Sequence, residues 1–369
     1  MIKQATLIVL AASFALGGCM MSSTAIDKDK DKKAKKEGEI VFPEPPEEPR
    51  YYYERTIKSS ADVLPSSDED SLRRKLTGEK ISGEAFGKPY GVAVHRGRIF
   101  VGDTVRTNVL VFDIPEQKFF FVGRDEDEGE GKLHKPMGLE VDDNGNLYVL
   151  DASTRQIVIF DRDGKFLRNI GKPNDFNRPA GIGVDGAGQR IYAVDIGGMA
   201  DTHRILVYDA LTGERLPDIG KRGVGPGEFN LPRDVVVSPD DSLVVVDGGN
   251  FRVQRLKPDG TPINAFGSIG RQRGQFSRPK EGAVDKDGNI YVVDAAFGNF
   301  QIFNPEGQLL MHIGSRSNTD GPALYSLPSG ISVDDDGRIY VVDQVYRKVD
   351  VFRPATLDEK DGFTFKKPD

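Results

Sequence analysis

The chain has 369 residues, 38% of them hydrophobic and 29% charged, and its 50 Lys and Arg against 57 Asp and Glu give a net charge of −7. Its one cysteine excludes an intramolecular disulfide, its acidic balance argues against nucleic acid as a partner, and the lack of a second long apolar segment excludes a helical membrane bundle. A single folded body of about 300 residues, rich in β structure, is expected.

Residues 1–4 (MIKQ) form a short positive region, and residues 5–16 are apolar but too few to span a bilayer. They lead into LGGC at residues 16–19, which resembles the bacterial lipobox. That resemblance implies cleavage before Cys19, diacylglycerol on its thiol, acylation of the new amine and a lipid anchor in the membrane of the cell envelope. The alternative is an ordinary secretory signal with an incidental thiol; Cys19 being the sole cysteine weighs against it. Met20 in place of Asp implies, by resemblance to enteric sorting, the outer rather than the inner membrane. Residues 19–49 read as a tether, with charged low-complexity KDKDKKAKK at 28–36 and stiff, polyproline-prone VFPEPPEEP at 41–49. Some thirty residues reach roughly 100 Å if fully extended.

Residues 50–58 (RYYYERTIK) carry a strand-like run. Residues 59–88 form a linker, within which SDEDSLRRKLTG at 67–78 has acids first, bases last and a terminal glycine, predicting one short helix.

Residues 89–353 repeat one unit six times. Each opens on Pro, runs through an apolar strand and a D-x-x-G type turn, and enters a second strand ending at Asp103, Asp151, Asp195, Asp247, Asp294 or Asp343, at spacings of 48, 44, 52, 47 and 49 residues. A period in the forties made of strands predicts propeller blades. Residues 136–171 show the whole unit: PMGLEV, a DDNG turn, NLYVLD, QIVIFD and KFLRNIG. Three residues before each Pro stands Phe86, Leu133, Phe176, Phe229, Phe276 or Tyr325, which predicts a wedge between neighbouring blades. The units resemble NHL repeats, and GPGEFNLP at 225–232 is close to that family's connector. The resemblance implies an all-β fold, a monomeric six-bladed propeller of four-stranded antiparallel blades. The sixth unit offers only three strands, at 330–333, 338–343 and 348–352, before Arg353-Pro354 interrupts it. Residues 51–57 are therefore expected to supply its outer strand and cover the edge, leaving 354–369 as a tail.

Catalytic signals are sparse. His95, His134, His203 and His312 occupy four different places in the repeat and are not expected to converge. Metal-dependent propeller lyases and lactonases, such as the peptidylglycine amidating lyase that NHL repeats resemble, gather ligands around the channel; this histidine pattern supplies no such set, so neither metal nor cofactor is expected. No serine sits in a nucleophile elbow, no phosphate loop follows a strand into a helix, and no C-x-x-C-H site for covalent haem occurs. DKDGN at 285–289 and DDDG at 334–337 resemble the start of an EF-hand loop, but Gly falls at the fourth rather than the sixth position and no Glu closes the loop, so both are hairpin turns. The six strand-ending Asp residues are expected to accept backbone N–H groups in the following turn.

Function is sought where the units disagree. Two residues after the Pro stand Gly91, Gly138, Gly181 and Gly330, but Asp234 and Glu281 in units four and five; one residue after it stand Tyr90, Met137, Ala180 and Ser329, but Arg233 and Lys280. Arg233, Asp234, Lys280 and Glu281 are thus placed at the channel mouth, where they either pair across the blade boundary or make a polar pocket for a small ligand. On the same face Lys221, Arg222, Arg252, Arg271, Arg273 and Arg278 make a basic rim, and Asp125, Glu126, Asp127 and Glu128 an acidic one, suited to an envelope protein of mixed charge. GGMADTH at 197–203 lengthens a turn in unit three, from which Met199 would project as a contact residue. The leading reading is a lipid-anchored, non-catalytic interaction scaffold for an envelope assembly or, by resemblance, a multihaem cytochrome system. The alternatives are a small-ligand binder or sensor at the channel mouth and a metal-dependent lyase or lactonase.

Overall fold

A computed structural model of the chain describes residues 39–64, 76, 83–124, 129, 131–198 and 202–363. The expectations placed on Cys19, on the helix at 67–78 apart from Leu76, on Asp125, Glu126, Asp127 and Glu128, and on Met199 lie outside the described residues. Among the described residues no helix is long and apolar enough to cross a membrane.

Each of the first five repeats folds into an antiparallel sheet of four strands in sequence order, as in Pro136–Val141, Leu147–Asp151, Gln156–Phe160 and Phe166–Ile170. The inner strand opens on Pro in five of the six blades, where the missing N–H is tolerated at a first strand position. The second strands, such as Leu243–Asp247 (LVVVD), are continuous apolar runs because the neighbouring sheets cover both their faces. Each inner strand packs on that of the next blade, and Pro328–Val333 of blade six packs on Pro89–His95 of blade one, closing the ring. Six apolar clusters fill the six blade interfaces, and Phe86, Leu133, Phe176, Phe229, Phe276 and Tyr325 each enter a different one, at most 3% exposed.

Blade six is completed from upstream. Tyr51–Ile57 pairs antiparallel with Lys348–Pro354, from Tyr51 opposite Pro354 to Ile57 opposite Val349. Two expectations are corrected here. Arg353-Pro354 does not interrupt the third strand, which runs through both residues because Pro354 takes its last position, where no further donor is needed. The tether reading of residues up to 49 fails at its end: Val41–Phe42 adds a fifth strand on Tyr51–Tyr52, Val41 is buried, and the Phe42 ring meets Phe352 at 5.7 Å. Of the tail, the Asp361 carbonyl accepts from Arg338 at 2.8 Å and the Phe363 N–H donates to Asp336 at 2.7 Å, so the chain to residue 363 lies on blade six.

The strand-ending Asp residues are wholly buried and reach further than the following turn. Asp151 accepts the N–H groups of Ser153 and Thr154 in that turn, and also those of His134 and Lys135 in the connector entering its own blade. Asp103, Asp294 and Asp343 repeat this four-residue clamp. In blade four Asp247 keeps the connector bond from Asn230 and takes the side chains of Asn250, Arg252 and Gln254 in place of the turn.

Candidate ligand site at the channel mouth

Neighbouring inner strands approach so closely near the channel that little room is left for a side chain two residues after the Pro. A Cβ on Gly330 would lie 2.6 Å from the Tyr90 carbonyl oxygen, and one on Gly181 would lie 2.3 Å from the Asp234 carboxylate. Asp234 thus fills space that Gly181 vacates. Its Oδ2 accepts the Gly282 N–H at 3.0 Å, and Glu281 accepts the Ile331 N–H of the next blade. Both donors stand at the ladder irregularities that follow Pro279 and Pro328. The two carboxylates therefore stitch blades four, five and six together around the channel.

The cross-boundary pairing weighed from the sequence does not form. Among the described residues no ion pair joins Arg233 or Lys280 to Asp234 or Glu281. Instead the charges separate along the channel. Arg233 and Lys280 line an outer cavity of about 500 Å³ with Lys135, Arg155, Arg178, Tyr90, Met137 and Glu281. Burial, reinforced by the like charges of Arg233 and Arg278, brings the Lys280 ammonium down to about 8. Deeper in, Asp234 and Glu281 share a cavity of about 180 Å³ with Glu140. Burial raises the Asp234 and Glu281 carboxyls, and the neighbouring Asp234 charge raises Glu281 further.

Glu140 was not singled out from the sequence. It stands four residues after its Pro, where the other blades have Ala93, Gly183, Val236, Ala283 and Ser332, so a lone acid at that position was the available signal. Burial first, then the Asp234 charge, pushes it up to about 8, against the one N–H that it accepts, from Val141 at 3.0 Å. The native carboxyl keeps its proton to that pH, whereas the unfolded chain releases it near 4.5. Its contribution to stability is complete below the unfolded value and is lost as pH rises to about 8. Glu140 keeps part of its surface exposed, which discounts this shift to about 2 kcal/mol between mildly acidic and alkaline solution. Glu140→Gln should flatten the fall in thermal midpoint between pH 5 and pH 9 by roughly 4–8 °C; melting profiles of variant and wild type that stay parallel across the range would refute this account.

The basic rim divides. Arg252 is no surface cation: its Nε donates to Asp247 at 2.9 Å and its Nη atoms to the carbonyls of Val224, Gly225 and Glu228, so it braces the connector from beneath. Lys221 pairs with Glu228 at 3.3 Å. Arg222, Arg271, Arg273 and Arg278 are exposed, and Arg278 adjoins the mouth through its effect on Lys280. Among the described residues no three His, Cys, Asp or Glu side chains are placed to hold a metal ion. His203 is buried and accepts the Leu231 N–H at 3.2 Å on Nδ1, away from the channel carboxyls.

Residues 132–214 match the family described as a six-bladed β-propeller, and residues 229–256 match the NHL repeat. The chain is 25% identical over 145 residues to the peptidylglycine alpha-amidating monooxygenase of Rattus norvegicus, and 30% identical over 164 residues to a probable peptidyl-alpha-hydroxyglycine alpha-amidating lyase of Caenorhabditis elegans. Those stretches are 36% and 39% of this chain and only 14% and 45% of the two relatives. A Bacteroides thetaiotaomicron protein of unknown function superposes with a TM-score of 0.60 at 16% identity, over 81% of this chain and 75% of that one. A Xanthomonas campestris gluconolactonase does so with 0.55 at 16% identity, over 82% and 98%. At such identities the likeness establishes the fold. The chain is a six-bladed β-propeller that contains an NHL repeat.

Proposed function

We propose that this propeller, anchored through Cys19 in the cell envelope, binds a small anionic ligand at the mouth of its channel. One observation carries the reading: Lys135, Arg155, Arg178, Arg233 and Lys280 surround a cavity of about 500 Å³, and none of them has an ion-pair partner among the described residues. Unpaired cations brought together at a concave site repel one another, and an anion relieves that repulsion. The double variant Arg233→Glu/Lys280→Glu should lose at least a hundredfold in affinity for carboxylate or phosphate compounds that shift the wild-type melting curve. Unaltered affinity, measured by calorimetry, would remove the mouth from consideration. Cys19→Ala should move the protein from the membrane to the soluble fraction; continued membrane association would remove the lipid anchor.

The activities named for the relatives, amidating lyase and gluconolactonase, favour a second reading in which the mouth holds a substrate. Lys280, held near 8, is then a group of the outer cavity poised to move a proton near neutral pH. Turnover of peptidyl-α-hydroxyglycine or of gluconolactone by wild type, lost in Lys280→Met, would support it; wild-type protein that turns over neither would retire it.

A further inference from the structure

We infer that the ligand of the mouth is a zwitterion, with its anionic end on Arg233 and Lys280 and its ammonium group on Glu281 and the carboxyl tier below. The inference rests on the proposed anion site and adds what lies under it. Glu281 lines both cavities, so the wall of the outer one passes from the cations at its mouth to carboxyls at its inner end, which ionise beside a positive group. A plain anion of any length would bring its tail against Glu281. A molecule whose positive group follows its negative one meets both.

The tier is equipped to receive an ammonium. Asp234 uses one oxygen on Gly282 and Glu281 accepts from Ile331, which leaves lone pairs on both, and an ammonium carries three donors. No cation of the protein forms an ion pair with Glu140, Asp234 or Glu281 among the described residues. The other inner strands bring no titratable side chain to this level; Tyr90, Arg178 and Arg278 act from the mouth. Burial raises all three carboxyls, Glu140 to about 8 and Asp234 to about 7, and the neighbouring Asp234 charge raises Glu140 and Glu281 further, so the tier still holds protons at neutral pH. An arriving ammonium favours their ionised forms, so its binding must expel a proton.

The test is calorimetry on the full chain with the free amino acids, a mixed dipeptide set, the N-acetyl counterparts of both, and succinate and phosphate as plain anions. Free-amine members should bind at least tenfold tighter than their N-acetyl counterparts. Their apparent enthalpies in Bis-Tris and Tris buffers at pH 7, neither of which is an anion, should differ by the release of roughly one proton, and Glu281→Gln should erase both the preference and the release while retaining the plain anions. N-acetyl members that bind as tightly, plain anions that bind while no amine does, or binding without proton release would overturn the zwitterion and leave the anion site standing. A protein that binds no member of any set loses both.

Discussion

Deletion of residues 50–58 should lower the thermal midpoint by about 15 °C. The segment supplies the outer strand of blade six from a point almost 300 positions upstream of its partner, with Thr56 bonded to Asp350 at a separation of 294 residues. Its loss removes the ladder along Lys348–Pro354, the wholly buried Ile57 and the Tyr51–Tyr291 hydroxyl contact at 2.9 Å. It also takes Glu54 from Arg338, whose side chain has no exposed surface and whose Nε donates to Glu54 at 2.8 Å. Among the described residues only Asp336 at 3.3 Å and the Asp361 carbonyl then remain to that guanidinium. Breaking a buried pair from one side costs about 3–5 kcal/mol, and removing Ile57 adds about 2 kcal/mol. Each kcal/mol moves the midpoint by roughly 2–4 °C in a domain of this size. Glu54→Gln should reproduce about 3 kcal/mol of the loss alone. Glu54→Leu combined with Arg338→Met should be closer to wild type than Glu54→Gln, because no charge is left stranded. A deletion variant with the wild-type midpoint would mean that the ring closes without this strand.

The parts of this architecture that repeat were legible in the sequence, and most of the parts that occur once were not. The wedge from Phe86 to Tyr325 and the strand-ending Asp residues appear in every unit, so each could be checked against five others before any contact was known. The closing strand was legible by subtraction, since one unit was a strand short. Val41–Phe42 escaped because two residues set among prolines are too few to show alternation, although their backbone pairs with Tyr51 and Tyr52. Arg252 was misassigned for a different reason. Charge in a sequence has no direction, and its side chain turns inward to three carbonyls that lie 24 to 28 residues away. At the mouth the sequence showed which residues depart from the pattern but not their depth. Arg233 and Asp234 are adjacent, yet one lines the outer cavity and the other the inner.

Asp294→Ala should cost about 4 kcal/mol and weaken the ligand site with it. The carboxylate of Asp294 accepts the N–H groups of Ser277 at 2.7 Å, Arg278 at 2.9 Å, Ala296 at 2.8 Å and Phe297 at 3.2 Å, and it has no exposed surface. Alanine leaves these donors without an acceptor in a place water barely reaches, at roughly 1–3 kcal/mol for each that stays buried. Two of them belong to the connector that runs straight into Pro279, Lys280 and Glu281, so the same carboxylate that anchors blade five sets where its charges enter the mouth. Asp294→Asn keeps one oxygen acceptor and replaces the other with an amide that opposes the facing N–H groups; its loss should fall between wild type and alanine, about 2 kcal/mol. The equivalent Asp103→Ala in blade one should destabilise to a similar degree, yet leave the affinity of the folded protein for the proposed anionic ligand unchanged, because its connector carries no cation of the cavity. Denaturant unfolding and calorimetry on the three variants separate the effects. Equal affinity in Asp294→Ala and wild type would show that the mouth charges hold their places without the clamp.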